Sequence, residues 1–153
     1  MPTGIEKLRQ STRTPFMPPA DPQSDASRTI VRGDLTLPAD SILRGDLIVY
    51  GDLHVGKGAL VLGSVKVHGH TKLEKDVTIL GALIATEKVV CGKRAMIDGP
   101  LVSETEIVIG PHSRIGSASS PTSTSAHYIK VYAANTIVHG TLWARDRGIS
   151  VSL

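Results

Sequence analysis

Three histidines stand close together near the middle of the chain, His54, His68 and His70. Two histidines and an acid make a sufficient ligand set for zinc, so these are the residues to question about a metal. A repeat of 18 places His70 beside Asp52 but also sets Lys72 beside His54, where its charge would repel a cation. Gly51-Asp-Leu-His-Val-Gly56-Lys57-Gly58 nearly spells a phosphate-cradling loop. Such a loop needs Ser or Thr after its lysine to hold magnesium, and a strand that runs into a helix. Gly58 fills the first place and a six-residue repeat runs through the second, which argues against nucleotide. Cys91 is the lone cysteine. It has no partner for an internal disulfide, and at an inward position without a basic neighbour it is a core residue rather than a nucleophile. No residue stands out as a general base. The sequence therefore assigns no catalytic residue and no cofactor.

The elements that would position these residues are stated more clearly than any chemistry. Glycine recurs at 33, 45, 51, 63, 69, 81 and 99, always at multiples of six apart. Gly45, Gly63, Gly81 and Gly99 are spaced by 18, as are Gly33, Gly51 and Gly69. A period of six grouped in threes predicts an all-β fold: a single-stranded parallel β-helix of triangular cross-section, three six-residue strands per 18-residue coil. Cut in sixes from Arg28, the fourth position reads Val31, Leu37, Leu43, Val49, Val55, Val61, Val67, Leu73, Ile79 and onward, and the second is mostly Leu, Val or Ala. Alternate strand residues share a face, so positions two and four point inward together. The sixth, mostly glycine, falls at a corner, where the expectation is a backbone conformation that a side chain disfavours.

Composition agrees. Forty-one per cent of residues are hydrophobic but only 3% aromatic, which suits a narrow repetitive core filled by Val, Leu, Ile and Ala. A net charge of +3, dispersed along the chain, argues against nucleic acid. The first residues hold no apolar run of the signal-peptide kind, and the expectation is a cytoplasmic protein.

In order, residues 1–27 read as a disordered tail. They hold five of the nine prolines, with Ser, Thr, Gln, Asp and Arg, too little apolar surface to offset ordering. Ile5, Leu8, Phe16 and Met17 beside Lys7, Arg9 and Arg13 are its candidate contacts with an inner membrane surface or an envelope partner. Residues 28–117 form five coils, 118–127 a Ser/Thr-rich loop, and 128–153 a final coil with a C-terminal segment. Third positions point outward, and Ile30, Ile48, Ile84 and Val102 recur on one flank, either as a lateral contact surface or as β-branched strand formers. Trp143 takes the same outward position and would cap the end, pack under the loop or form an interface. Solenoid ends expose unpaired backbone and template stacking. The candidate end contacts are Val31, Leu35, Leu37 and Leu43 at the start, and Leu142, Trp143, Ile149 and Val151 at the finish.

Gly-punctuated runs such as Asp46-Leu-Ile-Val-Tyr-Gly51 and Ser64-Val-Lys-Val-His-Gly69, after a Pro-rich tail, resemble the bactofilins, bacterial polymer-forming cytoskeletal proteins. The resemblance covers about 28–116. It implies a right-handed triangular β-helix that joins end to end into nonpolar, nucleotide-independent filaments and scaffolds envelope or polar partners. The 18-residue coil is shared with left-handed helices, so the repeat itself leaves handedness open. The alternative is a trimeric hexapeptide-repeat enzyme, an acyltransferase or a zinc-dependent hydratase. Some enzymes of that kind build zinc sites from histidines near subunit interfaces, which would call on His54, His68 and His70.

Overall fold

Each six-residue unit offers two inward apolar side chains, which nothing within the unit can cover. Only a stack of units buries them. A computed structural model describes residues 13–16 and 27–151, and among these it contains nineteen strands and no helix. β1 (Thr14–Pro15) lies upstream of the repeats. β2 (Arg28–Val31), β3 (Leu35–Leu37) and β4 (Ser41–Leu43) make the first full coil. β5 (Asp46–Val49), β6 (Leu53–Val55) and β7 (Leu60–Val61) make the second. β8 (Val65–Val67), β9 (Thr71–Leu73) and β10 (Thr78–Ile79) follow, then β11 (Leu83–Ala85), β12 (Val89–Cys91) and β13 (Met96–Ile97). β14 (Leu101–Ser103), β15 (Glu106–Ile109) and β16 (Arg114–Ile115) form the fifth coil. β17 (Thr122–Tyr132), β18 (Ile137–Val138) and β19 (Gly140–Val151) close the chain.

All pairing is parallel, and neighbours are one coil apart: Leu47 lies beside Val65, Val65 beside Leu83 and Leu83 beside Leu101. The chain is thus a β-solenoid. Its first face stacks β2, β5, β8, β11 and β14, and its second stacks β3, β6, β9, β12 and β15. The third is a seven-stranded sheet, β1-β4-β7-β10-β13-β16-β18. β17 passes round a corner, pairing with β14 by its first half and β15 by its second, so the first two faces merge into one twelve-stranded sheet. β19 follows β17 round the same corner with a bulge between Ala126 and Tyr128.

The second and fourth positions fill the interior. Leu47, Val49, Leu53, Val55, Val61 and Ile79 are almost wholly buried, as are their equivalents in later coils. Each such side chain contributes about 1.5–3 kcal/mol.

The corners hold a correction. Of the glycines spaced by multiples of six, only Gly45 has a positive φ. All of the others except Gly33 are required by close approach: a Cβ on Gly99 would lie 2.5 Å from the carbonyl carbon of Gly81 in the coil before. Among the described residues, every left-handed residue other than glycine lies at the corner between the second and third faces instead, and Gly58 joins them there. Asp40, Gly58, Asp76, Arg94, His112 and Asn135 all have φ between 51° and 75°. In five of these six coils the left-handed residue donates its N–H to a carbonyl in the next: Asp40 to Lys57, Gly58 to Lys75, Asp76 to Lys93, Arg94 to Pro111 and His112 to Ala134.

Two segments differ from their sequence reading. Thr14–Pro15, expected within a disordered tail, pairs with Ser41–Ile42 as the first strand of the third face. The N–H of Thr14 donates to Asp40 at 2.9 Å and that of Phe16 to Ile42 at 3.0 Å. The unpaired edge of β4 supplies the ordering that the segment's composition cannot. The Ser/Thr-rich stretch expected as a loop over 118–127 becomes strand from Thr122, because β14 and β19 pair with it from both sides.

Candidate functional site

The three histidines do not converge. His54 points outward from β6, and its Nε2 lies 2.8 Å from Oε1 of Glu74. That hydrogen bond, with the nearby Lys72, holds the Glu74 carboxyl below its ordinary range. His68 sits at the corner after β8 with its ring stacked on Tyr50, centroids 4.6 Å apart, and the Arg32 guanidinium covers Tyr50 at 4.4 Å. His70 begins the second face, where its N–H donates to Oδ1 of Asp52 at 2.8 Å. Among the described residues no three His, Cys, Asp or Glu side chains come together as a metal-binding group.

A groove of about 350 Å³ runs along this corner, lined by Asp34, Asp52, His54, His70, Lys72 and neighbours. Its aspartates cap backbone, Asp34 accepting from the N–H of Asp52 and Asp52 from that of His70. This explains the recurrent Gly-Asp-Leu: the aspartate after the corner glycine receives an amide one coil on. Cys91 is buried, and burial pushes its thiol up to about 12, so it holds its proton in the core.

The ends are the more distinctive surfaces, and they are unlike. Val31, Leu35, Leu37 and Leu43, read from the sequence as end contacts, point inward and none is more than 6% exposed. β1 covers the edge of β4 above them, and Phe16, read as a membrane or partner contact, packs against this core. Ile5, Leu8 and Met17 lie outside the described residues. At the other end Leu142 is 40% exposed, Trp143 66% and Ile149 46%. Trp143 stands on the first face beside Ser125, and Ile149 on the second beside Lys130. Between the strands the core opens into a cavity of about 420 Å³ lined by Ile129, Val131, Val138, Leu142 and Ile149. Gly148 and Ser150 occupy inward register here, so the last turn lacks the side chains that would fill it. Among the described residues β19 pairs with β17 alone, leaving its outer edge open; Val151 only accepts from the N–H of Ala133.

The sequence reading passed over one further set, the lysines of the left-handed corner. Lys57, Lys75 and Lys93 stack at 18-residue spacing, a signal visible in the sequence once the coil length is known.

Comparison of the chain with protein-family models, with curated proteins and with solved structures returned no match.

Proposed function

We propose that the chain is a bactofilin-like structural protein that associates with itself through its C-terminal coil and builds end-to-end filaments as a scaffold. The observation that carries this reading is the C-terminal mouth, where a strand edge unpaired among the described residues meets a cavity of about 420 Å³ lined by the exposed Leu142 and Ile149, with the exposed Trp143 on the adjoining first face. A second copy joined there satisfies the edge and buries those side chains in one step. The buried state of Val31, Leu35, Leu37 and Leu43 makes the C-terminal end the first to engage. The N-terminal end joins only when Thr14–Phe16 leaves the edge of β4.

Negative-stain microscopy and analytical ultracentrifugation on the full chain without nucleotide test the reading. The expected result is dimers and filaments one solenoid wide. Leu142→Glu and Trp143→Glu weaken the contact at least thirtyfold, in the range of an aromatic hot spot worth about 2 kcal/mol or more. A wild-type chain that stays monomeric, or compact trimers indifferent to both substitutions, overturns it.

A further inference from the structure

The three side faces carry different chemistry, and the third is basic and apolar together. Along its edge with the second face, Lys57, Lys75 and Lys93 are fixed one above another, because Gly58 and Asp76 donate their N–H groups to the carbonyls of Lys75 and Lys93. Their rungs are about 4.8 Å apart. Like charges stacked at that spacing repel. Among the described residues no ion pair engages any of the three. Asp76, next in the chain to Lys75, is held by Arg94 at 2.5 Å, with Lys57 and Lys75 acting on it only through space. On the far side of the same face, Asp98 is paired with Arg114 at 3.2 Å.

Between these edges lies apolar surface. Ile42 and Leu60 stand outward on the face and Leu62 and Leu80 on its far corner, with Leu80 43% exposed. At the N-terminal end of the face a groove of about 290 Å³ has Pro15, Ile42, Leu60 and Leu62 as its floor and Arg13 and Arg44 among its walls. Arg13 is held in place there by a hydrogen bond from Nε to the carbonyl oxygen of Gly58 at 3.2 Å.

We propose that the third face and its lysine edge dock on a bilayer containing anionic phospholipid, with the solenoid axis lying along the membrane surface. Guanidinium groups beside an apolar floor match a phosphodiester above acyl chains. Lysines in a straight row meet a plane of charge, whose approach removes their mutual repulsion. A peptide strand finds less here, because among the described residues the backbone of this face between β1 and β18 is already spent on pairing between coils. The C-terminal mouth lies at the end of the solenoid and stays free, so the two surfaces act independently.

The test is sedimentation of the full chain with phosphatidylcholine vesicles with and without phosphatidylglycerol. Binding is expected only with phosphatidylglycerol and weakens as salt is added. Each lysine contributes about fivefold, so the K57Q/K75Q/K93Q triple variant loses on the order of a hundredfold in partitioning. Circular dichroism should show it folded with an unchanged or raised midpoint, since like-charge repulsion has been removed. K7Q/R9Q should keep most of the binding, and Trp143→Glu should keep it too, which separates this surface from the end contact. Wild-type binding that ignores phosphatidylglycerol, a triple variant that binds like wild type, loss of binding in K7Q/R9Q, or equal capture by soluble polyglutamate would each overturn the proposal.

Discussion

Thr71 occupies an inward position between Leu53 and Val89, and its hydroxyl is buried without a hydrogen-bond partner. Ser113 solves the same problem, donating to the carbonyl of Gly92 and accepting from the N–H of Ala95. Thr71→Val should therefore raise stability by about 1–2 kcal/mol, read as a higher urea midpoint, because the desolvated hydroxyl is replaced by a methyl of similar shape. A lower midpoint would mean that the hydroxyl is satisfied in solution. The glycines divide in the same way. Gly99→Ala should cost about 1–3 kcal/mol, because its Cβ would press on backbone of the coil before. Gly33→Ala should stay within about 0.5 kcal/mol, since no heavy atom lies within 4 Å of the added carbon. Equal costs at the two sites would refute close approach as the reason for glycine. The position of these glycines was legible in the sequence, but their reason was not. A six-residue period says that something small is needed at a corner without saying whether φ or a neighbouring backbone needs it.

Elements were legible where the coil repeats and illegible where pairing overrides composition. The inward column Leu47, Val65, Leu83 and Leu101 can be read directly from the 18-residue spacing. β1 cannot, because a Thr-Pro dipeptide upstream of the repeats has no strand signal and becomes a strand only through the edge of β4. The first half of β17 looks like a loop for the same reason, its Ser and Thr residues being held by two neighbours. The left-handed corner was also missed, since Asp40, Gly58, Asp76, Arg94, His112 and Asn135 follow no single residue type. At that corner and beside it, contacts tie one coil to the next, His54 to Glu74 and Arg94 to Asp76. Hydrogen bonds from His54 and from Arg94 hold the two carboxyls below their ordinary values of 4.5 and 3.8. A lowered folded value means that their stabilisation is complete above the ordinary value and is lost as pH falls through the lowered one. The urea midpoint should therefore hold steady from neutral pH and decline below about 4. Glu74→Gln with Asp76→Asn should flatten part of that decline. An unaltered acid limb would show that these half-exposed pairs couple too weakly to matter.

Across the whole molecule, the two ends differ most. The C-terminal mouth of about 420 Å³ was half legible: Leu142 and Ile149 could be placed there, but the missing inward side chains at Gly148 and Ser150 emerge only with the register of β19. If this mouth is the contact, sedimentation of the wild type should depend on concentration and that of Trp143→Glu should not. The N-terminal rim was misjudged, because the segment that covers its third face comes from the stretch read as disordered. If copies join end to end as proposed, a copy that keeps β1 in place has, in polymer terms, a valence of one. Monovalent units pair and stop, whereas bivalent units grow, and the mean length of the product is set by the fraction that are bivalent. Thr14–Phe16, joined to the edge of β4 through two backbone hydrogen bonds, would then be a chain terminator carried inside every monomer. Under the proposed end-to-end assembly, filament length would read out a local fraying equilibrium.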